Sequence, residues 1–129
     1  MTEKELVSLA LEARENSYSP YSGFKVGAAL LTKSSRVYKG CNIENGAFSP
    51  TNCAERTAVF SAVCDGEKDF SAIAVVGGAD GINAFCPPCG VCRQVLSEFC
   101  EADFKIHLFN GEEIKTYTLG ELLPQSFNL

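Results

Sequence analysis

Ser71-Ala72-Ile73-Ala74-Val75-Val76, closed by Gly77-Gly78, is the stretch on which the architecture turns. A short continuous apolar run without polar alternation describes a strand buried on both faces, as at the centre of a sheet covered by helices. Helical patterns flank it. Upstream, Ala54 to Val63 has helix-like composition and puts Ala58, Val59 and Ala62 on one side. Downstream, Cys86-Pro87-Pro88 ends a loop and prepares another helix, for which Val91, Val95 and Phe99 form the expected buried stripe.

The outer elements follow by the same reasoning. Thr2 and Glu5 make a capping box, and Leu6, Leu9, Ala10 and Ala13 recur at helical spacing, which predicts an amphipathic helix over about residues 3–16. The turn-rich segment 16–23 leads into an expected strand over 24–31, whose Gly and Ala residues allow close approach of another element. The polar turn 33–36 and a strand over 37–42 complete an antiparallel hairpin. Near the C-terminus, strands over 104–109 and 112–117 flank Asn110-Gly111, a strong hairpin dipeptide. Thr118 and Glu121 then form a second capping box for a brief helix that Pro124 limits. The order α-β-β-α-β-α-β-β-α implies an α/β fold with a mixed five-stranded sheet, an antiparallel last strand and covering helices. A chain of 129 residues suits one domain over residues 1–129.

Composition narrows the function. The formal net charge is −5 and no Lys/Arg cluster is present, which disfavours nucleic acid and leaves a small neutral or cationic substrate. No apolar run has the length of a membrane span, and the N-terminus lacks the basic start and apolar core of an export signal, so a cytoplasmic location is expected. Seven cysteines, an odd number without an export signal, read as metal binding plus reduced thiols rather than as a disulfide framework.

Three of those cysteines carry a pattern. Cys53, with Cys89 and Cys92 in Pro88-Cys89-Gly90-Val91-Cys92, supplies three soft thiolates suited to Zn²⁺, leaving a fourth tetrahedral position open. Glu55 follows the first cysteine by two residues, near the metal without having to bind it, where it can move protons to and from water. Three thiolates on Zn²⁺ carry an excess negative charge; helix N-termini and Arg56 can compensate by donating toward the sulfurs. The combination is the all-cysteine form of a zinc-deaminase motif.

At this point the chain resembles the cytidine deaminases, specifically the short all-cysteine zinc type that acts on free nucleosides. The likeness runs through Tyr18-Ser19-Pro20-Tyr21-Ser22, residues 24–29, Gly40-Cys41-Asn42-Ile43-Glu44-Asn45, residues 53–58, residues 88–94 and Glu121-Leu122-Leu123-Pro124. The resemblance implies a three-layer α/β/α fold and the deamination of cytidine and deoxycytidine in pyrimidine salvage. It implies Cys53, Cys89 and Cys92 as ligands of one Zn²⁺ per subunit and Glu55 as the proton shuttle. It also implies that Asn42 and Glu44 bind the ribose, that Phe24 packs on the pyrimidine, and that the Ala54 backbone N–H meets the ring carbonyl. Short members are usually homotetramers, which implies that Phe48 and Phe127 complete a neighbouring subunit's pocket. Position 48 is more often Tyr, position 46 Ala and position 91 Ala, so the loop and interface depart from the common pattern.

Other readings rest on the same residues. Cys86-x-x-Cys89-x-x-Cys92 spells part of an iron–sulfur run, although the fourth cysteine is missing and the prolines are expected to turn Cys86 away from the helix start. His107, the only histidine, is the candidate fourth ligand of a closed structural zinc site, and a strand or core histidine otherwise. A deaminase for another aminopyrimidine nucleoside, such as blasticidin S, is the alternative within enzymes.

Overall fold

The computed structural model describes residues 1–129. Helix α1 (Glu3–Arg14) begins at the Thr2 cap, where the reciprocal bonds of the capping box form: the Thr2 N–H donates to Glu5 Oε2 at 2.9 Å and the Glu5 N–H to Thr2 Oγ1 at 3.1 Å. It ends two residues earlier than the sequence pattern suggests. The Arg14 side chain instead holds the sheet, donating from Nη2 to Gly78 O at 2.7 Å and from Nε to Lys25 O at 3.1 Å.

Strands β1 (Lys25–Thr32) and β2 (Val37–Cys41) form the expected hairpin, and β3 (Phe70–Gly78) follows helix α2 (Ala54–Cys64). Helix α3 (Gly90–Phe99) leads to β4 (Lys105–Phe109), β5 (Ile114–Thr118) and the one-turn α4 (Leu119–Leu122). The sheet order is β2-β1-β3-β4-β5, with β3 at its centre. Only β3 and β4 are parallel neighbours; the β4–β5 pair is antiparallel, as the Asn110-Gly111 turn requires. That turn is wider than a two-residue hairpin. Asn110 Oδ1 accepts from the N–H groups of Glu112 and Glu113, and Gly111 takes a positive φ of 98°.

Two cores lie on the two faces of the sheet. On one face Ala29, Ala72, Ala74 and Val76 pack against Leu6, Val7 and Ala10 of α1. On the other, Ala28, Leu30, Ile73, Val75, Ile106 and Leu108 pack against Ala58, Val59 and Ala62 of α2, Leu96 of α3 and Leu119 of α4. The result is three layers. Because β2 and β3 both run antiparallel to β1, the connections through α2 and α3 are successive crossovers on the same face. Both cysteine-bearing helix starts are thus delivered to one side of the sheet.

One expected packing stripe is different. Cys92 and Leu96 are buried, Val95 and Phe99 are half-buried, and Val91 is 56% exposed. The inward direction is set by Cys92, whose sulfur belongs to the cysteine cluster, so Val91 in the first turn faces outward.

His107 is a core histidine. It stands opposite Thr116 in the β4–β5 ladder, with Nδ1 at 2.7 Å from Thr116 Oγ1. Burial lowers its pKa, favouring the neutral ring in the folded state. The unfolded chain therefore takes up the proton first as pH falls. Stability is full above the unfolded pKa of about 6.5 and declines as pH drops below it. Urea titrations at about pH 7.5 and 5.5 should show this decline, and His107→Gln should shrink the difference between them. An equal difference in both proteins would place the acid sensitivity elsewhere.

Candidate active site

Cys53 and Cys89 occupy equivalent places. Each is the extended N-cap residue of a helix, at φ −76°, ψ 155° before α2 and φ −67°, ψ 169° before α3. Neither side chain caps its own helix, so both sulfurs are free to turn toward each other beside the unpaired N–H groups of two first turns. Cys92, one turn into α3, closes the group from beneath.

The three sulfurs converge. Cys53 and Cys89 Sγ are 3.8 Å apart, Cys89 and Cys92 Sγ are 3.4 Å apart, and the three lie within 4.8 Å of one another. Tetrahedral zinc with Zn–S bonds of ~2.3 Å needs sulfurs roughly 3.8 Å apart, so spacing and donor type both fit that ion. Cys86 does not join the cluster, and neither does His107. This removes the geometric basis for the iron–sulfur and closed four-ligand readings.

Electrostatics favours a thiolate here. Cys53 is drawn down to about 5, chiefly by the neighbouring Cys92 thiol and then by Arg56, against the opposing cost of burial. Cys92 moves upward in return, first because of Cys53 and then through burial. Arg56 Nη2 donates to Cys53 Sγ at 3.2 Å, while its buried Nε has no partner. The expected position of Arg56 beside the sulfurs is thus the one it takes.

Glu55 projects from the first turn of α2 and is only 4% exposed. Burial pushes its carboxyl up to about 7; its own backbone N–H opposes that rise and Cys53 adds to it. The group is therefore balanced between acid and base near neutral pH. It lines a cavity of about 180 Å³ together with Val26, Asn42, Cys53, Ala54 and Cys89. Cys92 is buried behind, so the sulfur cluster opens toward this cavity through Cys53 and Cys89.

Asn42 and Glu44 separate into adjoining spaces. The sequence pattern puts them on one side as alternate residues, but β2 pairing stops at Cys41 and Ile43 makes only isolated bridges to Tyr18 and Asn52. Asn42 lines the inner cavity; Glu44 lines an outer groove with Tyr21, Ser22, Asn45, Phe48 and Thr51, and Thr51 belongs to both. The Glu44 carboxylate accepts from the Tyr21 and Ser22 N–H groups at 2.9 and 3.1 Å and from the Ser22 hydroxyl, which hold its pKa below the usual range.

Asn42 also holds the start of β1. Its Oδ1 accepts from the Val26 N–H at 2.9 Å and from the Ser17 hydroxyl, and its Nδ2 donates to Phe24 O at 2.8 Å. One amide hydrogen is left over for a ligand. Asn42→Ala should destabilise the fold by about 1–3 kcal/mol, because it removes the partners of part-buried backbone groups at both Phe24 and Val26. Denaturant unfolding checks this; a loss below about 0.5 kcal/mol would mean that water replaces the amide.

The aromatic expectations divide similarly. Phe24 stands beside the cavity, not in its lining, with its ring edge over Gly77. Phe48, at φ 63° and 73% exposed, packs edge-on against Tyr21 at 6.3 Å. Phe127 is 68% exposed and is held through its backbone carbonyl by Gln94 Nε2 at 3.3 Å.

The prolines do keep Cys86 out of the sulfur cluster, but the sequence reading leaves Cys86, like Val26, Thr51, Asn52 and Pro87, unplaced in the cavity wall, where its sulfur lies over Gly77. An added Cβ at Gly77 would stand 2.7 Å from Cys86 Sγ. The missing side chain on β3 makes the place that the thiol fills, and Gly77 at the end of the central run was the available clue.

Comparison with known proteins agrees with this arrangement. The family described as the cytidine and deoxycytidylate deaminase zinc-binding region matches residues 1–108. A cytidine deaminase from Sporosarcina psychrophila is 48% identical over 129 residues, covering 99% of this chain and 93% of that protein. The crystal structure of cytidine deaminase from Burkholderia pseudomallei superposes with a TM-score of 0.90 at 45% identity, covering 98% of this chain and 100% of that one. A blasticidin-S deaminase from Bacillus cereus is 34% identical, covering 95% of this chain and 90% of that protein. No helix is long and apolar enough to cross a membrane. With a three-sulfur cluster opening beside a buried carboxyl, and with relatives that span its whole length, the chain belongs to the cytidine and deoxycytidylate deaminase family and is a hydrolytic enzyme of it.

Proposed function

We propose that the protein hydrolyses the exocyclic C–N bond of cytidine and deoxycytidine, giving uridine and deoxyuridine with release of ammonia, as a cytoplasmic enzyme of pyrimidine salvage. The observation that carries this reading is the buried Glu55 carboxyl in the lining of a cavity of about 180 Å³ beside the three converging sulfurs. Cys53, Cys89 and Cys92 are the proposed ligands of one Zn²⁺ per subunit. Zinc held there supplies a Lewis acid able to lower the pKa of water to about 7.

Glu55 accepts one proton of the attacking water and delivers it to ring N3, then takes the second from the hydroxyl added at C4 and passes it to the departing amine as the C–N bond breaks. A carboxyl poised near neutrality can do both, since it both gains and gives a proton at little cost. Arg56 and the two helix N-termini offset the negative charge of the thiolates. The N–H of Ala54, a lining residue in the first turn of α2, orients the ring carbonyl. Asn42 with its spare amide hydrogen and Glu44 at the outer groove take the ribose hydroxyls, and Phe24 covers the base. We further assign a homotetramer in which Phe48 and Phe127 complete the pocket of a neighbouring subunit; their high exposure in the single chain supports this.

The test is the ultraviolet absorbance change on mixing zinc-loaded protein with cytidine and with deoxycytidine. Conversion of both to the uracil nucleosides, lost when a chelator removes the metal and regained on adding zinc, is the expected result. Bound zinc without turnover of either nucleoside would overturn the substrate assignment. The blasticidin-S deaminase relationship makes that aminopyrimidine nucleoside the next substrate to assay.

A further inference from the structure

The cavity has a wall residue to which the reaction gives no task. A cytosine ring has two long edges that meet at the amino-bearing C4: one carries O2 and N3, the other C6 and C5. The first turn of α2 offers the Ala54 N–H and the Glu55 carboxyl, which suit O2 and N3, and C4 must approach Cys53 and Cys89. Glu55 is buried in this wall, with the Cys92 thiol behind it as its side-chain hydrogen-bonding neighbour.

The rest of the lining can be placed by its tethers. Asn42 belongs to the sugar end, as does Thr51, which the outer groove shares, and Val26 is tied to Asn42 by the 2.9 Å hydrogen bond that its N–H donates. Asn52 is held toward α2, its Nδ2 donating to Thr57 Oγ1 at 3.1 Å. Cys86 and Pro87 remain, immediately before Pro88-Cys89 and therefore beside the C4 end. C5 neighbours C4 on the side away from N3, so it faces this pair. Cys86 is the member with a variable volume. Its Sγ lies over Gly77, next to the Phe24 ring edge, where an added Cβ would stand 2.7 Å from the sulfur and 3.1 Å from Phe24 Cε2. The thiol and the ring edge thus share the space left by one missing side chain, and the thiol behaves there as a small apolar surface.

We infer that Cys86 meets the C5 edge of the pyrimidine and determines which 5-substituted cytidine derivatives the enzyme accepts, an assignment that rests on the deamination reading above. A wall of this size leaves room that a branched aliphatic residue would take. Discrimination of one carbon in such a pocket amounts to about 10- to 200-fold in kcat/KM.

The experiment compares kcat/KM for cytidine and 5-methylcytidine in the zinc-loaded wild type, Cys86→Ala and Cys86→Leu. The ratio of the two substrates cancels losses common to both. Cys86→Leu should lower the 5-methylcytidine to cytidine ratio by about tenfold or more, and Cys86→Ala should raise it. Ratios within about twofold of wild type in both variants overturn the inference. If Cys86→Leu fails to fold by circular dichroism, Cys86→Ala decides alone, with an unmoved ratio overturning the inference. Normal wild-type turnover of cytidine with unmoved ratios refutes the role of Cys86 only; no wild-type turnover refutes the deamination reading and this inference with it.

Discussion

Glu55→Ala is expected to lower kcat for cytidine by about four orders of magnitude, the upper range for loss of a general acid–base group, with zinc content and fold as in the wild type. The reasons lie in the cavity. Glu55 is its only carboxyl, and the other titratable groups on its surface are the thiols of Cys53, Cys86 and Cys89. Two of those belong to the three-sulfur cluster, and burial raises the third, Cys86, to about 11. No neighbour can take over proton transfer. The substitution should leave the melting temperature equal or higher, because a buried carboxyl without a strong partner contributes little to stability. Steady-state absorbance assays, metal analysis and thermal melts on one preparation check all three points. More than about one-hundredth of wild-type kcat would mean that Glu55 is not the proton carrier. Glu55→Gln, which keeps the shape, should be impaired to a similar degree.

Gly40→Ala is the second large effect, and it acts through the backbone. Gly40 lies on β2 under the start of α2, where an added Cβ would stand 2.4 Å from Ala54 O and 2.5 Å from Ala58 N. These are main-chain atoms of the helix that carries Glu55 and follows Cys53, so the clash cannot be relieved by a rotamer change. The helix must rise from the sheet and take the site with it. A cost of about 3 kcal/mol or more is expected, at or beyond the upper end for overpacking, and with it a fall in melting temperature of roughly 10 °C. Zinc retention should weaken as well. Gly90→Ala serves as the control: this glycine also sits at a cysteine-bearing helix start, but nothing lies within 4 Å of its added Cβ. Equal stability of Gly40→Ala and Gly90→Ala would show that α2 can shift freely.

Much of the architecture was legible because its causes are local. The two capping boxes, the apolar run of β3 and the Asn110-Gly111 turn each announce themselves within a few residues, and all four occur in the structure. The cysteine positions were equally plain, since a Cys-x-x-Cys pair at a helix start has few geometries. What failed depended on contacts distant in sequence. Val91 matched a helical stripe, but the direction of α3 is fixed by Cys92 meeting Cys53 from another helix. Asn42 and Glu44 alternate as strand residues do, yet the strand ends between the hairpin and the loop, and nothing near residue 42 marks that point. Cys86 is placed by the absence of a side chain at Gly77, on a different element.

The two caps that face each other, Cys53 and Cys89, are separated by 36 residues of chain. Closing a loop of that length costs several kcal/mol of chain entropy, comparable to what a disulfide removes from an unfolded chain. Here the apolar packing of α2 and α3 on a common sheet face supplies the closure, through a core of 14 buried residues that includes none of the three cysteines. An incoming ion is therefore expected to meet a preorganised claw and to spend little of its affinity on folding. Unlike a zinc finger, which is unfolded without its ion, such a protein is expected to fold first, take up its metal later and exchange it while remaining intact.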